Sequence, residues 1–360
     1  VRFVQSSIEA IDLQQRQVQL SSGLHYDYSH LVLSLGCING YFGIEGAQEH
    51  SFAFRSGQDA EILARQLREC LQRASQTTDP QERSRLLTVA IIGAGPSGIE
   101  LAATLADLLP NWYAGLGGDP QEIRVVVLDR ETEILGGATS PKSDLRKTAK
   151  TALKQRSVPV ELCLNAEVSV LHPHQVAFKR NGQADLLDAA TIVWTAGTAT
   201  HPLIKGLSVA AEQRNRQGRL YVNDTLQLPD FPEVFAGGDC AVDQQNPLPP
   251  TAQVAYQQGM AIARNLKAIS EGSAPHPGEV KLRGSLLKLG LGESAADIFN
   301  RFNVTGKLGH LIREAIYLEL LPTPVHNFKA TTEWLIDDIF YRYGNPMSFA
   351  NAGEKTSQSA

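Results

Sequence analysis

The glycines Gly93, Gly95 and Gly98 fall between a buried-strand pattern and a helix pattern, and this constrains the fold more than any other feature of the chain. Leu86 to Ile92 is an apolar, β-branched run of strand length that stops at glycine, as a strand buried on both faces does. Pro96 to Leu109 reads as the helix that follows. In such a strand, turn and helix the first glycine allows the tight turn, the second lets a pyrophosphate reach the backbone, and the third lets helix and strand pack closely. The phosphates then sit at the helix N-terminus, where unpaired amides favour negative charge. A glycine motif alone is weak; in this context it is a dinucleotide-binding fingerprint. A second glycine turn, Gly238 followed by Asp239, comes about 140 residues later at the end of the apolar run Glu233 to Gly237. The chain is therefore expected to handle two nucleotides.

The strand Ile123 to Leu128 ends in Asp129, where a carboxylate accepts hydrogen bonds from adenosine ribose hydroxyls and repels a 2′-phosphate. That favours NADH, while Arg130 beside it keeps NADPH open. The interval from Gly98 to Asp129 exceeds the usual spacing of about 20 residues. The Gly- and Pro-bearing stretch Asn111 to Glu122 accounts for the excess.

At 360 residues the chain is long enough for two or three domains. Its net charge of −5 argues against a nucleic-acid partner, which needs clustered Lys and Arg. Cys37, Cys70, Cys163 and Cys240 are far apart with no CxxC, so they read as small buried residues of a reduced compartment and not as a disulfide framework or zinc site. The histidines show no metal spacing, and His172 and His174 read as a turn around Pro173. No run of about 18 apolar residues occurs, so nothing is expected to span a membrane.

Val1 to Gly36 opens midway through strand-like material, with Val18 to Leu20, a turn at Ser22 and Gly23, and Leu31 to Leu35 ending at Gly36. No glycine turn precedes it, and a segment is expected to be missing from the front. Arg55 to Ala74 is a helix pattern carrying Ile62, Leu63, Leu67 and Leu71, and Thr77 to Pro80 marks a boundary. Val158 to Leu187 alternates short strands and turns, and Thr191 to Gly197 is another strand stopped by glycine. Pro247 to Pro250 precede a helix from Thr251 to about Ile269. Ser273 to Pro277 is a linker, and Met347 to Ala360 reads as a polar, disordered tail.

With these pieces in order, the chain resembles the two-dinucleotide-domain flavoproteins, and among them the type II NAD(P)H:quinone oxidoreductases. The likeness covers nearly the whole chain. It is carried by Gly36 closing its strand, Ile44 to Glu49, Gly93 to Glu100, Trp194 to Gly197, Gly237 to Asp239, and Ala252 to Gly259. The ending Leu321 to His326 looks like the cyanobacterial and plastid branch, which reduces plastoquinone-type or demethylphylloquinone-type quinones. The resemblance implies an α/β fold of two Rossmann-like dinucleotide-binding domains, the NAD(P)H domain inserted in the FAD domain. A C-terminal amphipathic helical region follows, and the N-terminal FAD motif is missing. The implied plan is a front-truncated FAD-domain segment over 1–84, an NAD(P)H-binding domain over 85–198, and the FAD-domain return over 199–270. A membrane-contacting region over 271–346 and the tail over 347–360 complete it. Relatives with a redox-active cysteine pair are the nearest competitors, but their C-terminal halves form a dimerisation domain with a catalytic His-Pro pair, whereas this chain ends in amphipathic patterns. Sulfide-oxidising quinone reductases do not need the fingerprint that Gly93 opens.

By the same resemblance the cofactors are FAD and NAD(P)H, and Asp239 hydrogen-bonds the ribityl chain of FAD. Gly36 and Gly238 let the backbone come close, and Gly197 lies between the two nucleotide sites. Gln253 and Gln257, four apart on one helical face, are implied to meet the quinone; on residues alone they read equally as a solvated pair. Glu100 is either a proton relay whose pKa burial raises, or a first-turn glutamate held by the helix dipole. Trp194 is as readily core packing. Leu308, Leu311, Ile312, Ala315 and Ile316 form one helical stripe, and Phe328, Leu335, Ile339 and Tyr343 a second, flanked by Trp334 and Phe340. Such stripes pack on a core or, by resemblance, dock on a bilayer through apolar area. The implied activity passes hydride from NAD(P)H to the flavin and two electrons to a membrane quinone. The implied setting is peripheral, at the cytoplasmic face of a plasma or thylakoid membrane, with a homodimer left open. A soluble flavin-dependent reductase or oxidase using oxygen, ferredoxin or a disulfide is the alternative, and so is a non-catalytic nucleotide-binding protein.

Overall fold

The computed structural model describes residues 1–136, 144–282, 284–298 and 302–304, together with residues 306, 309, 311 and 313. The chain divides into two compact units, one of residues 1–40 and 197–282 and the other of residues 41–196 and 283 onward.

In the second unit five parallel strands lie in the order Phe52–Ala53, Thr191–Trp194, Thr88–Ile92, Arg124–Asp129, Glu161–Leu164. Thr88–Ile92 is buried at every position, as a central strand covered on both faces must be. It begins at Thr88 and not at Leu86 because Leu86 closes a short helix, Pro80–Leu86, whose first turn Asp79 caps through the amide of Gln81. The helix after the glycine turn runs Pro96–Gly115, past the expected end at Leu109 and through Pro110. A proline there cannot donate to Ala106 O. The freed carbonyl takes the amide of Val158 at 3.2 Å instead, so the helix continues without an orphaned acceptor. The helix Gly57–Gln76 starts after Ser56, which closes a capping box with Asp59. It turns Leu63, Leu67 and Leu71 into the core that holds Ile91, Ile99 and Leu105, and leaves Ile62 exposed. Residues 41–84 therefore pack with the nucleotide fold, and the contact division falls at Gly40 and Tyr41.

A buried ion network ties the helix Pro96–Gly115 to the turn between the antiparallel strands Gly284–Lys288 and Ser294–Ile298. Arg156, with its side chain 7% exposed, donates from Nη1 to Asp107 Oδ2 at 2.9 Å and from Nη2 to Glu293 Oε2 at 2.6 Å. Asp107 also accepts from the amides of Ser157 and Leu291. Each buried charge thus has both an opposite charge and hydrogen bonds, the condition under which burial is tolerated.

In the first unit Leu31–Leu33 pairs in parallel with Phe231–Ala236, Leu220–Val222 in parallel with Ala241–Asp243, and Cys37–Asn39 antiparallel with Thr198–Thr200. An antiparallel meander of Ile8–Asp12, Gln17–Leu20 and His25–Asp27 completes its sheets. The helix Ala252–Ser270 turns Val254, Gln258, Ala261, Ile262 and Asn265 inward. Two of its amides grip the segment that follows. Asn265 exchanges hydrogen bonds with both backbone groups of His276, at 2.9 Å each, and Gln257 does the same with Lys281 at 3.1 and 3.0 Å. The stretch read as a linker is thereby laced to the helix. All four cysteines are free.

Among the described residues no helix is long and apolar enough to cross a membrane. Of the two C-terminal stripes, only Leu311 is described, and it is exposed; the remaining positions from Leu308 to Tyr343 lie outside the described residues.

Replacing Arg156 by Met leaves Asp107 buried without its counter-charge, and is expected to cost about 3 kcal/mol. The check is the urea midpoint, which should fall; an unchanged midpoint would mean that the network contributes nothing to stability.

Candidate functional site

Each unit carries one glycine-built site. In the second unit, Gly93 has φ 111°, and a Cβ there would stand 2.8 Å from the amide nitrogen of Ala196. Gly98 is tighter still: its Cβ would lie 1.9 Å from the carbonyl oxygen of Gly93, so only glycine lets the helix approach the strand end. Gly95 faces open space and is the N-cap of the helix with no side-chain cap, so the first amides point outward without an internal acceptor. Thr195 braces the turn, its hydroxyl donating to the carbonyl of Ile92 at 2.9 Å. This geometry suits a pyrophosphate, which needs close backbone approach and amide donors.

Asp129 ends its strand as expected, but its carboxylate is already at work in the turn. Oδ2 accepts from the amide of Ala94 at 2.5 Å and Oδ1 from the amide of Glu131 at 2.9 Å. Arg130 beside it is exposed and 3.4 Å from Glu131.

In the first unit a cavity of about 480 Å³ is lined by Gly36, Gly237, Gly238, Asp239, Thr251 and Ala255, among others. Gly36 and Gly238 both adopt left-handed backbone, with φ 65° and 70°. A Cβ on Gly237 would meet Ile262 Cδ1 at 3.2 Å. The amide of Gly238 donates to Gln258 Oε1 at 2.7 Å, and Gln258 is itself buried. Thr251, the N-cap of the helix, has a buried hydroxyl with no hydrogen-bond partner. A buried orphan hydroxyl is costly unless something else satisfies it. The glycine cradle, the Asp239 carboxylate and this orphan hydroxyl together fit a ligand bearing hydroxyl and carbonyl groups, as the ribityl and ring portions of a flavin do. Gly197 lies in this unit at φ 66°, its carbonyl accepting the amide of Gly40 at 3.4 Å.

Of the glutamines singled out by spacing, neither lines the cavity. Gln257 spends its amide on the backbone of Lys281 and on the carbonyl of Gln253, while Gln253 is half-buried in the first turn. Thr251 lines the cavity and Gln258 holds the amide of Gly238 at its edge, whereas the sequence marks Thr251 only as a helix start and Gln258 only within Ala252 to Gly259. Gln258 had a signal, because it falls in the inward series Val254, Ala261, Ile262 and Asn265.

Glu100 belongs to the second turn of its helix, whose first turn contains no acid, so the dipole-held alternative is set aside. Its Oε1 accepts the amide of Lys288 at 2.7 Å. Burial pushes its pKa up against the pull of that hydrogen bond and of the Arg313 and Lys288 charges. Trp194 is core: it is buried, donates to Ala196 O at 2.7 Å, and its ring lies 5.6 Å from that of Tyr41. His172 and His174 flank a hairpin turn, as read.

Residues 1–259 match the family described as pyridine nucleotide-disulphide oxidoreductase. A type II NADH:quinone oxidoreductase from Staphylococcus aureus is 26% identical over 322 residues, which is 88% of this chain and 76% of that protein. The structure of NDH2 from Plasmodium falciparum in complex with NADH is similar at TM-score 0.81 and 17% identity, over 94% of this chain and 84% of that one. The sulfide:quinone oxidoreductase of Aquifex aeolicus is similar at TM-score 0.66 and 16% identity, over 94% of this chain and 79% of that one. These structural likenesses show a shared fold.

Because Glu100 is held above its ordinary value of 4.5, the folded state binds its proton more tightly than the unfolded state. The stability this gives is fully present below 4.5 and is lost as pH rises through the raised folded value. Glu100→Gln stays neutral and keeps an acceptor for Lys288. Its thermal midpoint should exceed that of the parent at mildly alkaline pH, and the gap should close as pH falls toward 4.5. A lower midpoint for the variant at alkaline pH would show that the buried carboxylate is stabilising.

Proposed function

The chain belongs to the pyridine nucleotide-disulphide oxidoreductase family, whose members are oxidoreductases that work with FAD and a pyridine nucleotide, and we propose that it carries reducing equivalents from NADH to a quinone. The observation that supports this most is the presence of two separate glycine cradles in two separate units, one at a strand end followed directly by a helix N-terminus, the other at two strand ends beside the N-cap Thr251 of a later helix. The relatives named as NADH:quinone oxidoreductases support the choice of donor and acceptor.

When bound, FAD supplies the redox chemistry, accepting a hydride and releasing two electrons. The protein supplies the rest. The amides after Gly95 receive the dinucleotide pyrophosphate, with Gly93 and Gly98 fixing the turn beneath. The charge of Asp129 disfavours a 2′-phosphate, which supports NADH over NADPH. Asp239 accepts from ribityl hydroxyls, Thr251 offers its unpaired hydroxyl to the same ligand, and Gly36, Gly197 and Gly238 keep side chains out of the way. Gln253 and Gln257 are proposed to meet the quinone from one helical face, with the Gln257 amide also bonded to the backbone of Lys281. Quinone reduction consumes two protons, and Glu100, with its pKa raised by burial, is the group proposed to relay them one at a time, taking up a proton from solvent after each transfer. Apolar stripes in the C-terminal region are proposed to hold the protein at a membrane surface, where a lipid-soluble quinone resides.

The test is NADH oxidation by the purified protein with and without a short-chain quinone under anaerobic conditions. Quinone-dependent turnover supports the reading; turnover only with oxygen, ferredoxin or a disulfide overturns it. In Glu100→Gln, flavin reduction by NADH should be nearly unchanged, while quinone reduction slows by roughly a hundredfold, the low end for general acid catalysis. Equal slowing of both half-reactions would remove the relay role.

A further inference from the structure

The sulfur of Cys37 lies 2.9 Å from Asp239 Oδ2, although the two residues are 202 positions apart in sequence. They meet because Leu31–Leu33 and Phe231–Ala236 run in parallel in one sheet, so the chain leaves both strands at the same end. Each exit then passes through left-handed backbone, at Gly36 and at Gly238, both of which line the cavity together with Asp239. Cys37 is half-buried, as is Asp239.

An aspartate has a soft terminal torsion. Its carboxylate plane turns over a broad range unless something holds one oxygen. A thiol is a weak donor to neutral acceptors, and a stronger one when the acceptor is ionised. On the other side, Arg219 donates to the carbonyl of Ala241, and its charge reaches both Asp239 and Cys37. Arg219 sets the charge environment of this corner, whereas the Cys37 thiol holds one oxygen of the carboxylate.

We infer that Cys37 is a positioning residue for the flavin site: its S–H pins Oδ2 of Asp239 and so presents Oδ1 to the hydroxyl groups of the bound flavin nucleotide. This rests on the assignment of Asp239 to the flavin chain. The nucleotide motifs do not call for a cysteine at this place.

The experiment is a titration of the deflavinated full chain with FAD, followed by flavin fluorescence, with the thermal midpoint of each apoprotein measured in parallel. Cys37→Ala should raise the Kd for FAD about fivefold, the worth of one ordinary hydrogen bond, with an unchanged apoprotein midpoint. Cys37→Ser keeps a donor and should return Kd to within about twofold of the parent. Against an Asp239→Asn background, Cys37→Ala should add almost nothing, because its effect passes through the carboxylate. Should the Asn variant bind no flavin, Asp239→Glu, which keeps the charge and displaces it, takes its place in the cycle. Several results overturn the inference: a parent-like Kd for Cys37→Ala while the Asp239 variant is weakened, a Cys37→Ser that fails to rescue, or a Cys37→Ala effect of equal size in both backgrounds. If the Asp239 variant itself binds FAD as well as the parent does, the flavin assignment of Asp239 fails, and the inference with it.

Discussion

A Cβ on Gly98 would stand 1.9 Å from the carbonyl oxygen of Gly93, and the second unit is organised around that contact. The buried strand Thr88–Ile92 can deliver its end to a helix N-terminus only if nothing but hydrogen separates them. Once it does, the uncapped amides after Gly95 collect in one place, and Asp129 and Thr195 brace the turn from either side. The first unit reaches a similar end by other means. Gly36 and Gly238 turn the chain through left-handed backbone, and Gln258 holds the second turn by its amide. In both units the site is main chain first. Side chains then add direction and charge.

Polar satisfaction does much of the remaining work. Pro110 sits inside a helix because Val158 takes the carbonyl it releases. Asp107 and Arg156 are buried together, and neither would be tolerated alone. Asn265 and Gln257 treat the backbone at His276 and Lys281 as a strand partner would, giving an irregular segment the hydrogen bonds it lacks. Several buried polar atoms among the described residues have no hydrogen-bond partner, and of these the Thr251 hydroxyl is the one at the cavity.

Much of this was legible in the chain. The apolar run before Gly93, the glycine spacing and the helix from Thr251 all carry local signals that tertiary context did not override. What was not legible depended on partners distant in sequence. No periodicity announces that Val158 will rescue Pro110, or that Cys37 will reach Asp239. The strand Phe52–Ala53 has two residues, too few for any pattern, yet it places Tyr41 to Leu86 with the nucleotide fold. Spacing chose Gln253 and Gln257 because they share a helical face. It could not show that Lys281 would occupy one of them, or that Gln258, one position on, faces inward.

The proposed activity requires one chain to handle both flavin and pyridine nucleotide. Anaerobic addition of NADH to the FAD-loaded protein tests this most directly, through the visible absorbance of the flavin. The account predicts that the yellow band bleaches with about one equivalent of NADH per flavin, as a two-electron cofactor requires. A protein that holds FAD but keeps its full colour in excess NADH would contradict it.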